Sequence, residues 1–142
     1  MYTQNWSKEF IKNTSFIDRK SLVNILEIGC YEGKTSNYIV DNLLTNDGTL
    51  ICIDPLESNY ELDSDNIMFQ GQFNRFIENT DYNKSRIKLM REKSDTALPV
   101  LRDNFFDLVF IDGHHAQPEC YLDGTEAFRI CKDFGWILFD DF

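Results

Sequence analysis

Acidic side chains recur in this chain where apolar runs end. Glu27 lies in the run Ile25 to Ile28, Asp54 follows Thr49 to Ile53, and Ser94-Asp95 follows Arg86 to Met90. Asp112 closes Phe105 to Ile111, and Asp140-Asp141 closes the stretch from Gly135 to Phe139. Carboxylates gathered at one edge of a sheet repel one another, which favours a ligand or a cation that draws them together. The competing reading is local: Asp at a strand end also closes Asx-turns and caps the next helix. His114 and His115 are the chain's two histidines, adjacent and just after Asp112. An imidazole titrates near neutrality and can take a proton, or it can simply bond backbone and fix a loop.

A second chemical signal stands at Asn24 to Thr35, Asn-Ile-Leu-Glu-Ile-Gly-Cys-Tyr-Glu-Gly-Lys-Thr. A short strand enters a turn bearing Gly29 and Gly33, and a helix begins at once. Glycine permits close backbone approach, and a helix start offers unpaired N–H groups, so a ligand can lie against bare backbone here. It is not the dinucleotide fingerprint Gly-x-Gly-x-x-Gly, because Glu27 stands in the place of the first glycine.

The elements that must hold these residues follow from periodicity. Trp6, Phe10 and Ile17 predict one or two amphipathic turns over residues 1–22, packed as a lid. Lys34 to Leu44 reads as a covering helix, stopped by Asn46-Asp47-Gly48. Strand, helix and strand then fit the roughly 30 residues of a βαβ unit, with parallel strands. Glu57 to Asp65 reads as a solvated acidic loop, and Phe69, Phe73, Phe76 and Ile77 predict a second covering helix. Arg86 to Met90 is an edge strand, and Ser94-Asp95 can cap a short helix held short by Pro99. Phe105 to Ile111, apolar but for Asp107, reads as a strand buried on both faces. A helix from Pro118 carrying Tyr121, Phe128 and Cys131 leads to the fifth strand. The expectation is one domain over residues 1–142: an α/β, doubly wound parallel sheet.

Composition bounds the function. Hydrophobic content is 42%, with 12 Phe, and no apolar run approaches the roughly 20 residues of a membrane span. The net charge of −10, from 24 acids against 14 Lys and Arg, would repel a nucleic acid. Cys30, Cys52, Cys120 and Cys131 form no Cys-x-x-Cys pair and read as inert thiols of a reducing, cytoplasmic compartment. The expected chain binds neither membrane nor nucleic acid.

Taken together, Glu27-Ile-Gly-Cys-Tyr-Glu-Gly33, Ile53-Asp54-Pro55, Ser94-Asp95, Phe106 to His115 and Gly135 to Asp141 resemble, in order and spacing, a class I S-adenosylmethionine (SAM) dependent methyltransferase. More narrowly they resemble the small-molecule O-methyltransferase-like group called methyltransferase domain 24. The resemblance implies a Rossmann-like sheet of five strands in the order 3-2-1-4-5. It implies that Gly29, Tyr31 and Gly33 line the methionine part of SAM, with Glu27 near its amino group. Asp54 would accept the ribose hydroxyls, Ser94 and Asp95 would face the adenine amine, and Ile53 and Leu56 would flank the ring. In the related catechol-type enzymes, an Asp after the fourth strand and an Asp-Asn pair after the fifth hold a divalent metal. Here the matching positions are Asp112, Asp140 and Asp141, with Asp in the last place, and oxygen ligands of this kind suit Mg²⁺ or Ca²⁺. The Lys general base of those enzymes corresponds in place to His115, which with Asp112 would be catalytic. The implied enzyme methylates a small hydroxylated acceptor of sugar or phenol type. The alternative is a SAM-binding but idle module that works through a protein partner. Family members add a C-terminal helix and antiparallel hairpin after the fifth strand, and none is expected here. A bare edge of Trp136, Ile137, Leu138 and Phe139 would be prone to aggregate, so the expectation is that a partner chain covers it, that the protein dimerises there, or that this is a truncated version.

Overall fold

A computed structural model describes residue 2 and residues 7–56, 71–114 and 117–140. In chain order the helices are α1 (Ser7–Asn13), α2 (Lys34–Asn42), α3 (Gln72–Thr80), α4 (Ser94–Ala97) and α5 (Glu119–Ile130). The strands are β1 (Leu22–Ile28), β2 (Leu44–Ile53), β3 (Ile87–Met90), β4 (Phe106–Ile111) and β5 (Cys131–Phe139). Every strand pairing is parallel, in the order β3-β2-β1-β4-β5, so the doubly wound 3-2-1-4-5 sheet read from the sequence is the observed one.

Alternation along β1 sorts the core into two layers. Ile25 points into a cluster with Ile39, Val40 and Phe76 from α2 and α3, whereas Leu26 and Ile28 point into one with Leu98, Ala127 and Ile130 on the α4 and α5 side. Successive strand residues face opposite sides, so a strand covered twice must be apolar at both phases. Phe10 of α1 packs its ring on Phe110, with centroids 4.3 Å apart, so the N-terminal helix is packing as expected. Trp6 lies outside the described residues. No helix among the described residues is long and apolar enough to cross a membrane.

Four local expectations are corrected. The turn at Asn46-Asp47-Gly48 is absorbed into β2: the pairs Leu22↔Leu44 and Asn24↔Thr49 advance further along β2 than along β1, which is a bulge. A matching irregularity lies between Phe106↔Cys131 and Leu108↔Trp136 in β5. In α3 the buried face is Gln72, Phe76 and Thr80, while Ile77 is 47% exposed. In α5 Tyr121 and Phe128 stand in solvent, and the buried stripe is Cys120, Asp123, Ala127 and Ile130. That stripe has helical spacing, but a carboxylate in its middle hides it from a hydrophobicity pattern. Finally, Ser94 does not cap α4. It is the first helical residue, Lys93 is the N-cap, and no side-chain capping bond forms.

Asp107, the polar exception in β4, is explained by the ladder irregularities. Its Oδ2 accepts from the N–H groups of Val23 and Asn24, both at 2.8 Å, and its Oδ1 from the Lys132 ammonium at 2.6 Å. Burial alone would raise its pKa, but these donors, Lys132 foremost, hold it below the ordinary carboxylate value.

Candidate functional site

β1 delivers the chain into a tight loop because two close approaches leave no room for a side chain. Gly29 has φ +82°, and a Cβ there would overlap the Asp112 carbonyl at the end of β4. Gly33 has φ +79°, and a Cβ there would overlap the methyl group of Thr80 and crowd Phe76 of α3. Both glycines are therefore required by the protein's own packing at this conformation. Tyr31, between them, also takes a left-handed φ, of 47°.

Asp54 closes this loop. Its Oδ2 accepts from the N–H groups of Cys30 (3.0 Å) and Tyr31 (2.9 Å), and its Oδ1 accepts from Leu56 N–H (2.8 Å). Consecutive backbone N–H groups around an anion form a nest, and here the protein supplies the anion itself. Burial raises the Asp54 pKa and the three N–H donors partly offset it. The two oxygens that the resemblance assigns to ribose hydroxyls are thus engaged by backbone.

Glu27 lies beneath the loop and is wholly buried. Ser36 Oγ, from α2, donates to its Oε2 at 2.5 Å, and the Cys52 thiol lies 3.4 Å from the same oxygen. Oε1 finds no hydrogen-bond donor among the described residues. Burial pushes the pKa from 4.5 up to about 7, against the pull of Ser36 and Cys52 and with a smaller push from Asp54. Cys30 and Cys52 sit beside this carboxylate, both buried and both with thiol pKa values raised chiefly by desolvation. All four cysteines are free thiols and buried.

One pair was missed in the sequence. Glu32, 1% exposed, forms an ion pair with Arg75 of α3, and Asn79 Nδ2 donates to the Glu32 carbonyl at 3.0 Å. α3 therefore clamps the loop. The available signal was a charge inside a loop too tight to turn it outward, together with a single basic residue in α3.

At the other strand ends, Ser94 is half-buried and Asp95 exposed. A second missed residue, Asp123 of α5, is 2% exposed and its Oδ1 has no donor among the described residues; burial raises its pKa, which the nearby Ser94 opposes. Asp112 N–H donates to the Ile28 carbonyl at 2.8 Å, and Asp140 N–H donates to the Ile111 carbonyl at 2.9 Å. The register Ile111↔Phe139 sets Asp112 and Asp140 side by side, at the ends of adjacent strands. His115 and Asp141 lie outside the described residues, and among the described residues no group of three or more acids, histidines or cysteines could hold a metal. The structure thus brings Glu27 and Asp54 together under the glycine loop, Gly29 against Asp112, and Asp112 beside Asp140.

In parallel sheets ligands bind outside the carboxyl ends of the strands, near the point where strand order reverses. Here that point lies between β1 and β4, beside Gly29 and Asp112. The fold and this edge define a doubly wound α/β protein whose candidate ligand site lies at the carboxyl ends of β1, β2, β3 and β4. The chain belongs to the methyltransferase domain family, methyltransferase domain 24, whose model matches residues 26–142. No curated protein matches it significantly.

Solved structures share the fold at low identity. A provisionally assigned caffeoyl-CoA O-methyltransferase from Staphylococcus aureus is 17% identical with a TM-score of 0.66, covering 99% of this chain and 59% of that one. The O-methyltransferase TomG from Streptomyces achromogenes, in complex with SAM, is 20% identical with a TM-score of 0.61, covering 80% of this chain and 46% of its own. Phosphoethanolamine N-methyltransferase 1 from Haemonchus contortus, with phosphoethanolamine and S-adenosylhomocysteine, is 12% identical with a TM-score of 0.63, covering 89% of this chain and 24% of its own. This chain spans about half the length of TomG, 46% of it. The fold accompanies methylation of oxygen in one neighbour and of nitrogen in another.

Proposed function

We propose that this chain binds SAM along the carboxyl edge of its sheet and transfers the methyl group to the oxygen of a small hydroxylated acceptor, of sugar or phenol type. The observation that carries the reading is the glycine loop between β1 and α2, held shut by Asp54 and Arg75, in a chain matched to the methyltransferase domain family. SAM supplies an activated methyl on a sulfonium, so the protein's task is alignment more than bond-making. Gly29, Tyr31 and Gly33 present backbone to the methionine part, and Glu27 offers the acceptor oxygen Oε1 from below. Asp54 shares its oxygens between the loop and the ribose, while Ser94 and Asp95 meet the base. Asp112 stands beside the reacting end, and His115 takes the acceptor's proton.

A divalent cation suits Asp112, Asp140 and Asp141 by ligand type, since two of these carboxylates sit on neighbouring strand ends and hard cations prefer oxygen. Held there, Mg²⁺ or Ca²⁺ would polarise the acceptor hydroxyl. A second reading, an idle SAM-binding module completed by a partner, is favoured by the apolar edge at β5, where Trp136 is 43% exposed and Phe134 is wholly exposed.

Calorimetry of the full chain with SAM, S-adenosylhomocysteine and NAD tests the proposal. Heat with the first two and none with NAD is the expected result; heat with NAD alone would overturn it. Formation of S-adenosylhomocysteine with a panel of hydroxylated acceptors then separates the enzyme from the idle module.

A further inference from the structure

A buried primary amide must place two hydrogens and an acceptor oxygen, and Asn37, 4% exposed in the first turn of α2, places all three. Its Nδ2 donates to the Asn79 carbonyl near the end of α3 (2.9 Å) and to the Tyr2 hydroxyl (2.8 Å), and its Oδ1 accepts from Asn83 Nδ2 at 3.0 Å. The Asn79 carbonyl can only accept, which fixes the amide's orientation and makes Tyr2 the acceptor of the second hydrogen. The Lys34 ammonium, one residue past Gly33, lies 5.7 Å from the centroid of the Tyr2 ring. Tyr2 is thereby pinned beside the glycine loop.

The same amide stands one step from that loop by two routes. Asn37 N–H donates to the Gly33 carbonyl at 3.0 Å, and Asn79, which receives the Asn37 side chain, donates through its own Nδ2 to the Glu32 carbonyl at 3.0 Å. Both carbonyls belong to the turn whose Cys30 and Tyr31 N–H groups Asp54 holds. A hydrogen-bonded path therefore runs from Tyr2 through Asn37 and Asn79 to Glu32, and buried paths of this kind are strengthened or weakened together. We propose that Asn37 is a positioning residue of the cofactor loop and that Tyr2 couples the segment ahead of β1 to it, so that a docked Tyr2 tightens the loop on the cofactor and a bound cofactor holds that segment down. The inference rests on the cofactor reading above and adds how that site is regulated. Such coupling is reciprocal, so it can be read at either end.

Calorimetry with S-adenosylhomocysteine on the full chain compares the wild type with Tyr2→Phe, which keeps the ring beside Lys34 and deletes only the acceptor. Affinity should fall roughly five-fold, the scale of one net hydrogen bond. Asn79→Ala cuts the path between Asn37 and Glu32, so it should weaken the ligand likewise, and adding Tyr2→Phe to it should cost nothing further. Amide hydrogen exchange supplies a readout that a merely structural role would not move. The ligand should slow exchange across α1 (Ser7–Asn13) in the wild type and lose most of that effect in Tyr2→Phe. Unchanged affinity in Tyr2→Phe, additive losses in the double variant, or exchange in α1 that is indifferent to the ligand would each overturn the inference. If the wild type binds neither SAM nor S-adenosylhomocysteine, it is the cofactor reading that fails.

Discussion

Glu27 is the residue whose environment and charge are most at odds. Its folded pKa of about 7 against an ordinary 4.5 means that the folded chain holds this proton more tightly than the unfolded chain does. The stabilisation is therefore complete below pH 4.5 and is lost as the pH rises through about 7. Glu27→Gln keeps the shape and removes the ionisation. Relative to wild type it should gain on the order of 3 kcal/mol between pH 4.5 and 8, read from urea midpoints at several pH values. A difference that stays constant across that range would show that Glu27 is not the group responsible. The glycine spacing and the acid before it were legible in the sequence because they depend on local geometry. The partners of that acid were not, because Ser36 and Cys52 reach Glu27 only after the chain has folded back.

At the scale of elements, the loop after β1 is held by groups remote in sequence: Asp54 from β2's exit and Arg75 with Asn79 from α3. Arg75→Ala would remove the ion-pair partner that α3 gives the buried Glu32. We expect a loss of about 2–3 kcal/mol, below the usual cost of breaking a fully buried pair because Arg75 is 24% exposed, with cofactor affinity falling roughly ten-fold. Paired thermal melts and calorimetry measure both. A variant that melts normally and binds normally would mean that α3 does not govern the loop. The existence of each strand and helix could be read from apolar periodicity, since burial on two faces leaves a plain pattern in β1, β2 and β4, whereas the strand order rested on the family resemblance. The faces of α3 and α5 could not, because the polar residues Gln72, Thr80 and Asp123 occupy interior positions, Thr80 donating to the Phe76 carbonyl within its own helix and Asp123 Oδ1 meeting no donor among the described residues.

The whole molecule combines a net charge of −10 with an apolar fifth strand at the sheet's edge. Phe16 stacks on Trp136 with centroids 4.8 Å apart, a cover from the chain's own N-terminal side, yet Trp136 and Phe139 stay partly open. Like charge keeps copies apart at low ionic strength, and salt removes that protection while leaving apolar attraction intact. Sedimentation velocity should therefore show association that grows from about 10 mM to about 1 M salt and that Phe134→Lys suppresses. Identical sedimentation at both salts would show that the edge is stable uncovered.

The two strand irregularities lie at the amino ends of β2 and β5, the side of the sheet away from the candidate site. Each is tied down by one charged side chain, since Arg86 donates to the carbonyls of Gly48 (3.3 Å) and Val40 (3.2 Å) near the first and Asp107 holds Lys132 at the second. The sheet thus carries its slack at one end and its tolerance-free contacts at the other. Chain length can change by a residue or two beside Asp47 or Asp133 with the difference taken up in a bulge, whereas Gly29 and Gly33 admit no added atom. Diversity within such a fold would accumulate at the blunt end while the chemistry stayed in register at the other.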